Sequence, residues 1–137
     1  MFTTVMVLDL VAALLLGSML FFAAVVAPAV FKILDGEPAS RFLRGLFPRF
    51  FLWGIVLSGI SLLLSFWTSP VNSLLIALIL AGFIYSRQVL TEKINRARDQ
   101  WLASDGPTDK ARFDALHKRS VMINVAQIAL LLIIIVL

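Results

Sequence analysis

The stretch "FFLWGIVLSGISLLLSFWTSPVNSLLIALILAGFIYS", residues 50–86, contains no charged residue and is too long for one membrane span. About 20 helical residues cross a hydrocarbon core of roughly 30 Å. The stretch is interrupted at residues 68–73 by "TSPVNS", a cluster of turn-forming and helix-capping residues. The sequence therefore predicts two helices joined by a tight turn, the first ending near Trp67 and the second starting near Val71.

Two further apolar stretches lie on either side of this pair. Residues 10–31 and 120–137 are also uncharged, and 61% of the 137 residues are hydrophobic, more than a soluble domain of this size can bury. The predicted fold class is therefore all-α, an integral membrane four-helix bundle in a single domain. The predicted spans cover about residues 5–33, 50–67, 71–90 and 117–137.

The twelve Lys and Arg residues lie in or beside the first and last links between these helices, and the turn at 68–73 carries none. With four helices, the first and last links lie on the same side of the membrane. The positive-inside rule then places the loops 35–48 and 91–116 in the cytoplasm and both termini outside, in a multi-pass protein of a bacterial inner membrane. Because the basic residues flank apolar segments, we expect no nucleic-acid partner.

The first charged link predicts an interfacial amphipathic helix. Residues 35–38 form a turn, and the apolar residues that follow share one face at helical spacing: Phe42, Leu43, Leu46, Phe47 and Phe50. Arg41, Arg44 and Arg49 take the other side. We expect the rings to reach acyl chains and the three arginines to contact anionic lipid headgroups at the cytoplasmic face, until Pro48 bends the chain into the second span.

The last charged link predicts a helical extension beyond the membrane. No helix breaker follows Ser86 until "SDGP" at residues 104–107, and Glu92 and Arg96 have the spacing of a helical ion pair. Asp114 and Lys118 are spaced in the same way after the break. We therefore expect a charged, cytoplasmic helical hairpin between helices three and four.

Asp9 is the one acidic residue within a predicted span. Because a carboxylate in the membrane is costly, we expect it to face protein or water, with Ser61 and Ser65 of helix two as partners. It lies on a stripe of small residues that suits close helix packing. Asp9 is either a proton or cation site or, the reading we prefer, a structural carboxylate near the outer surface.

A polar stripe lies at the inner end of helix four, where four residues recur every three or four positions: His117, Ser120, Asn124 and Gln127. Tyr85 of helix three is predicted at a similar depth. The stripe is either a ligand pocket or a set of interhelical hydrogen bonds. In the second case Asn124 would satisfy the carbonyl of Ala24, which Pro28 leaves without its amide partner.

Catalytic and metal-binding motifs are missing from the sequence. The chain has one histidine and no cysteine, which cannot form an ordinary zinc, copper or haem site from protein ligands alone, so we expect no metal and no cofactor. Nucleophile elbows, phosphate-binding glycine loops and zinc-protease motifs are also absent. An enzyme is the less favoured reading.

The chain resembles the transmembrane-protein-205-like family, small four-helix membrane proteins that include a bacterial domain of unknown function. The matching segments are "LGSMLFFAAVVAPAVF" (16–31), "LFPRFF" (46–51) and "LHKRSVMIN" (116–124), in the same order and at comparable spacing. The resemblance implies a four-helix fold but no reaction. It points to a set of characteristic positions toward the inner side: Phe31, Phe47, Pro48, His117, Ser120 and Asn124.

Three functions fit these observations. The preferred one is a small, non-catalytic membrane protein that binds or supports a membrane or cytoplasmic partner, or forms a homo-oligomer. The second is an oligomeric transporter or channel subunit, which solute flux dependent on Asp9 or Asn124 would reveal. The third is a haem- or quinone-binding subunit that uses the inner polar stripe of helix four, which an extractable cofactor would reveal.

Overall fold

Four long helices make up the computed structural model, which describes residues 2–136. They are α1 (Phe2–Ile33), α2 (Gly36–Ser65), α3 (Pro70–Ser104) and α4 (Pro107–Val136). Each is long and apolar enough to cross a membrane. The predicted all-α, four-helix membrane bundle is confirmed, and the chain is a multi-pass membrane protein. Leu137, the last residue of the fourth predicted span, lies outside the described residues.

The turn between α2 and α3 forms where the sequence predicts it. Ser69 caps α3, with its side chain accepting a hydrogen bond from the amide of Asn72 at 3.4 Å, and Pro70 occupies the first turn of the helix. The hydroxyl of Ser65 donates to that of Ser73 at 2.9 Å and ties the two helices together. We call this part of the molecule, residues 65–73, the turn end.

The two basic links lie together at the opposite end of the bundle. Arg44, near the start of α2, forms an ion pair with Asp99, in the last turns of α3. This contact confirms that residues 32–49 and 87–119, which we call the charged end, share one side. Here α3 packs against the start of α4 to form the predicted helical hairpin, with Asp105 in the left-handed conformation (φ 49°) at its tip.

The segment predicted as a separate interfacial helix instead forms the first turns of α2, which stays helical through Pro48. Its apolar face is largely occupied by protein, since Leu43 and Phe47 pack with Val30 of α1. This packing explains the difference from the prediction: the end of α1 offers a partner for the apolar side chains that we expected to insert into lipid.

The core lies mainly between the charged end and the turn end, where buried side chains of all four helices pack together, Leu15 and Met19 of α1 among them. Phe83 is fully buried against α2, and a Cβ atom added at Gly54 would collide with its ring. Gln127 of α4 donates from Nε2 to the carbonyl of Ile79 at 2.9 Å. Small residues on α2 and hydrogen bonding from α4 therefore hold this part of the bundle closed.

Both α1 and α3 contain a short π-helical segment, at Phe22–Val26 and Ser86–Leu90. In α1 the amide of Ala27 bonds to the carbonyl of Phe22, so the hydrogen-bond register shifts just before Pro28. Within the described residues Asn124 makes no hydrogen bond to Ala24, and that prediction is wrong. The backbone accommodates the proline by changing its own register.

Candidate functional site

Two adjoining cavities lie between the helices, a smaller one of ≈ 200 Å³ at the charged end and a larger one of ≈ 240 Å³ beside it, toward the middle of the bundle. They share five lining residues: Phe31, Phe47, Phe51, His117 and Ser120. Either volume alone is below the roughly 300 Å³ at which small-molecule sites begin. Because the two cavities share walls, we treat them as one site, which we call the charged-end cavity.

The charged-end cavity exists because α1 and α4 separate toward this end. Most of α1 packs along α4, but its last turns, residues 27–33, turn their buried side chain Val30 toward α2. The larger cavity lies in the gap and is lined by Ala27 of α1 and Ile128 of α4. Its rim includes the exposed residues Ala23 and Val121, so the gap opens onto the lateral surface of the bundle.

One wall of the cavity is built from phenylalanine rings. Phe22 stacks on Phe50 with ring centroids 4.2 Å apart, and it contacts Phe47 at 5.4 Å in a tilted arrangement. Phe50 in turn meets the edge of Phe83 in the closed part of the core, at 6.4 Å. This cluster gives the cavity a large, continuous apolar surface anchored in the core.

The smaller cavity ends at a buried arginine. Arg98 of α3 is only 8% exposed, and its guanidinium carbon lies 5.3 Å from the ring centroid of Phe113. Its Nη1 donates to Oδ1 of Asn95 at 3.4 Å, a long hydrogen bond. Phe113 stacks in turn on His117, with centroids 6.0 Å apart. The cavity therefore has an apolar body and a cationic end.

Arg98 has no carboxylate within ion-pairing distance among residues 2–136. The neighbouring Asp99 is paired with Arg44, whose hydrogen bond lowers the pKa of that carboxyl. Burial, and then the charge of Arg44, lower the pKa of the Arg98 guanidinium. Arginine nevertheless keeps its charge in proteins, so the cavity contains a buried positive charge that the described residues leave without a counter-ion.

The predicted polar stripe of α4 is divided by the structure. His117 and Ser120 line both cavities and Asn124 lines the larger one. Gln127 is buried against α3 in its hydrogen bond to Ile79. Asn124 Oδ1 is buried without a hydrogen-bond partner among the described residues. Tyr85 is partly buried and is not among the residues that line either cavity.

Asp9 is placed differently from the prediction. Its side chain is exposed on the outside of the bundle. The buried face of α1 instead carries Leu8, Ala12, Leu15 and Met19. The predicted contacts with Ser61 and Ser65 do not form: among residues 2–136, Ser61 Oγ is buried without a hydrogen-bond partner, and the hydroxyl of Ser65 donates to that of Ser73. Of the two surroundings expected for Asp9, protein or water, packing against protein is contradicted, because α1 is apolar around most of its circumference and its sequence gives little indication of which face packs.

The three arginines assigned to lipid headgroups have different surroundings. Arg41 is exposed, 3.9 Å from Glu37. Arg44 is engaged with Asp99, and Arg49 donates from Nη1 to the carbonyl of Gly45 at 2.7 Å. Arg41 and Arg49 remain free to meet headgroups, and lipid contact by all three stays a prediction.

Sequence reasoning missed Arg98, Thr91 and Phe113. A signal was present: Thr91, Ile94 and Arg98 lie on one face of α3, and Phe113, His117 and Ser120 follow at the same spacing on α4. In a helical hairpin such faces meet.

Metal binding has no comparable basis, since the described residues include no group of three His, Cys, Asp or Glu side chains placed to hold an ion.

Comparisons with known proteins identify a family but no relative of known activity. No curated protein and no solved structure matches the chain significantly. A family model described as "Domain of unknown function (DUF4149)" matches residues 10–101, more than half of the chain. The match covers most of α1, all of α2 and most of α3, while α4 follows it. The chain therefore belongs to the DUF4149 family of domains of unknown function.

Proposed function

We propose that this protein is a non-catalytic membrane protein that binds a membrane-soluble molecule in the charged-end cavity. The observation that carries the proposal is the gap between α1 and α4, which is lined by aromatic and aliphatic side chains and opens toward the bilayer. Ligand sites in proteins have this combination of a largely apolar wall and a few polar groups. A lipid-soluble molecule can enter without crossing water.

The polar lining supports binding over a purely structural role for the stripe. Hydrogen bonds between helices would leave His117, Ser120 and Asn124 engaged with neighbouring helices, as Gln127 is with Ile79. These three residues instead line a cavity, and one of them carries an unpartnered buried oxygen. Such an oxygen costs free energy unless a donor reaches it, and a ligand or a trapped water can supply that donor.

Transport is less well supported. In the closed part of the bundle, side chains fill the space between the four helices. Asp9, on which the transport hypothesis partly relied, faces away from the bundle.

The resemblance to the transmembrane-protein-205-like family favours binding at the charged end, because five of the family's characteristic positions line the cavity. These positions are Phe31, Phe47, His117, Ser120 and Asn124.

Photolabelling tests the proposal. The full chain in phosphatidylcholine liposomes is irradiated with a hexadecanol analogue that carries a mid-chain diazirine, and the labelled peptides are mapped. We expect adducts on the segments that line the cavity and a strong loss of labelling in Ala27→Phe, which fills the gap. Ala24→Phe is the matched control, since Ala24 lies one turn away on the exposed surface and does not line the cavity.

Two results would overturn the proposal. One is labelling spread evenly over the exposed faces of all four helices, as for a probe dissolved in the surrounding lipid. The other is equal labelling of Ala27→Phe and Ala24→Phe. Circular dichroism of both variants keeps a folding defect from being mistaken for loss of binding.

The charged end faces the cytoplasm in this proposal, and both termini lie outside. The support is the positive-inside rule applied to two basic links that share one end of the bundle. The chain has no cysteine, so Lys110→Cys and Ser69→Cys report sidedness without background. An impermeant thiol reagent added to intact cells should label only Ser69→Cys. Labelling of Lys110→Cys instead would show the opposite orientation.

Anionic lipids at the cytoplasmic face are the proposed partners of Arg41 and Arg49.

A further inference from the structure

The charged-end cavity is polarised along its length. Arg98 and Phe113 mark one limit of its lining, and Val125 and Ile128 mark the other. Along α4, the distance from Phe113 to Ile128 is roughly 22 Å at 1.5 Å per residue. One acyl chain spans about half of the roughly 30 Å hydrocarbon core. The cavity lining is therefore long enough for a headgroup and much of a single chain.

The polar limit of the cavity favours an anion. A buried guanidinium presents five N–H donors, and Arg98 uses one of them, at 3.4 Å, within the described residues. Its contact with Phe113 stabilises the cation but satisfies none of the remaining donors. Burial of a charge without a partner is costly, whereas a carboxylate or phosphate beside it would form short, charge-assisted hydrogen bonds.

The surroundings of Arg98 strengthen the same preference. Arg44 lies close enough to oppose its charge, and Asp99, which favours that charge, is exposed and paired with Arg44 rather than directed into the cavity. Two of the polar residues that complete this end, His117 and Ser120, can each donate a hydrogen bond, whereas the hydroxyl of Thr91 already donates to the carbonyl of Ser86 at 2.7 Å. No Asp or Glu lines either cavity among the described residues.

Building on the proposed ligand site, we infer that its ligand is an anionic amphiphile from the bilayer, with a carboxylate or phosphate head beside Arg98 and its chain against the phenylalanine wall. The head occupies the smaller cavity and the chain leaves through the gap between α1 and α4. The buried charge sets the ligand class, because an uncharged lipid of the same length leaves the guanidinium without a counter-ion.

Competition between matched probes tests this inference. The wild-type chain in phosphatidylcholine liposomes is labelled with a diazirine analogue of palmitate, at mildly alkaline pH so that the carboxylate is ionised. Palmitate should displace the label at a concentration at least about tenfold lower than hexadecanol, the advantage expected of one charge-assisted hydrogen bond. Inorganic phosphate, which has the charge without the chain, should not displace it.

Two variants locate the charge. Arg98→Gln should abolish the preference for palmitate, whereas Arg96→Gln should keep it. Arg96 lies two residues away, is exposed and pairs with Glu92 on its own helix, so both variants remove one positive charge at nearly the same depth. Long-range attraction of anions to the protein surface therefore falls equally in the two variants, and only direct contact separates them.

Several outcomes contradict the inference. Equal displacement by palmitate and hexadecanol in the wild type shows that the site does not distinguish a charged headgroup from an uncharged one. This comparison tests the inference even if Arg98→Gln does not fold. Equal loss of preference in the two variants assigns the effect to surface charge. Displacement by inorganic phosphate shows a site for free anions. In each of these cases, labelling of the cavity by the hexadecanol analogue that Ala27→Phe abolishes would leave the proposed function standing while this inference fails.

Discussion

The two ends of this bundle use opposite ways of joining helices. At the turn end, uncharged serines cap a helix and bond α2 to α3, with the hydroxyls of Ser65 and Ser73 2.9 Å apart. At the charged end, phenylalanine rings and a buried arginine occupy the space between helices, and α1 and α4 separate around a cavity. Small residues allow close approach, while large side chains that stack on one another hold helices apart.

Because of this difference, the residues that stabilise the fold and the residues proposed to bind a ligand lie in different parts of the bundle. The closed part contains Gly54 against Phe83 and the hydrogen bond of Gln127, which require close-packed backbones. Within the described residues, the open part contains Arg98, which has no ion-pair partner, and the side-chain oxygen of Asn124, which accepts no hydrogen bond. Added side-chain volume should therefore destabilise the closed part and be tolerated in the open part.

The largest effect is expected at Gly54, where α2 touches Phe83. Gly54→Leu should lower the free energy of unfolding by about 1 to 3 kcal/mol, because the core must shift to admit the side chain. Gly59→Leu is the matched control on the same helix, since a Cβ atom there meets nothing within 4 Å. Chemical or thermal unfolding in detergent measures both. Equal stability of the two variants would mean that α2 and α3 are not closely packed.

A smaller loss is expected when the cap at the turn end is removed. Ser69→Ala should cost about 1 kcal/mol, the usual contribution of a serine N-cap. Thr108→Ala, an exposed position at the start of α4, should leave the unfolding free energy unchanged within about 0.5 kcal/mol. If Ser69→Ala were as stable as this control, the capped turn would not contribute to closing the bundle.

Filling the cavity should change stability little, although it blocks the proposed site. Ala27→Phe adds about as much volume as Gly54→Leu, yet its unfolding free energy should stay within about 0.5 kcal/mol of the wild type, because the ring enters existing space. The same unfolding measurement checks this. A loss as large as that of Gly54→Leu would contradict an open charged end.

The smallest effect is expected at the ion pair that links α2 to α3. Asp99 has a lowered pKa in the folded protein, so the pair stabilises the fold above the ordinary carboxyl pKa of about 4 and is lost as the pH falls through the lowered value. The difference in unfolding free energy between the wild type and Asp99→Asn should therefore vanish in acid and decrease in high salt.

Glu92→Gln is the control for this prediction, because it removes a pair formed within one helix, with Arg96. Its stability should depend less on pH and salt than that of Asp99→Asn. If the two variants behaved alike, the contact between Arg44 and Asp99 would not hold the two basic links together in solution.

The number of helices and the turn between α2 and α3 could be predicted because they depend on local signals. The length of an uncharged stretch and the residues at 68–73 suffice for both. The shared side of the two basic links followed from the two spans that separate them, because successive links lie on alternate sides of the membrane. These features need no knowledge of how the helices pack.

The helix faces could not be predicted with the same success. Most positions around α1 are apolar, so nothing in its sequence marks which face is buried, and Asp9 was assigned to the wrong one. The cavity depends on the separation of α1 from α4, which arises from packing of Val30 against α2. Arg98 was treated as one of many surface charges, because its burial depends on the pairing of two helices.

The most direct test of the account is a high-resolution density map of the wild-type chain in phosphatidylcholine nanodiscs with palmitate added. The account predicts elongated density in the gap between α1 and α4, with its head within hydrogen-bonding distance of the Arg98 guanidinium and its chain against Phe22 and Phe50. A gap closed by helix contact, or palmitate found only around the outside of the bundle, would contradict it.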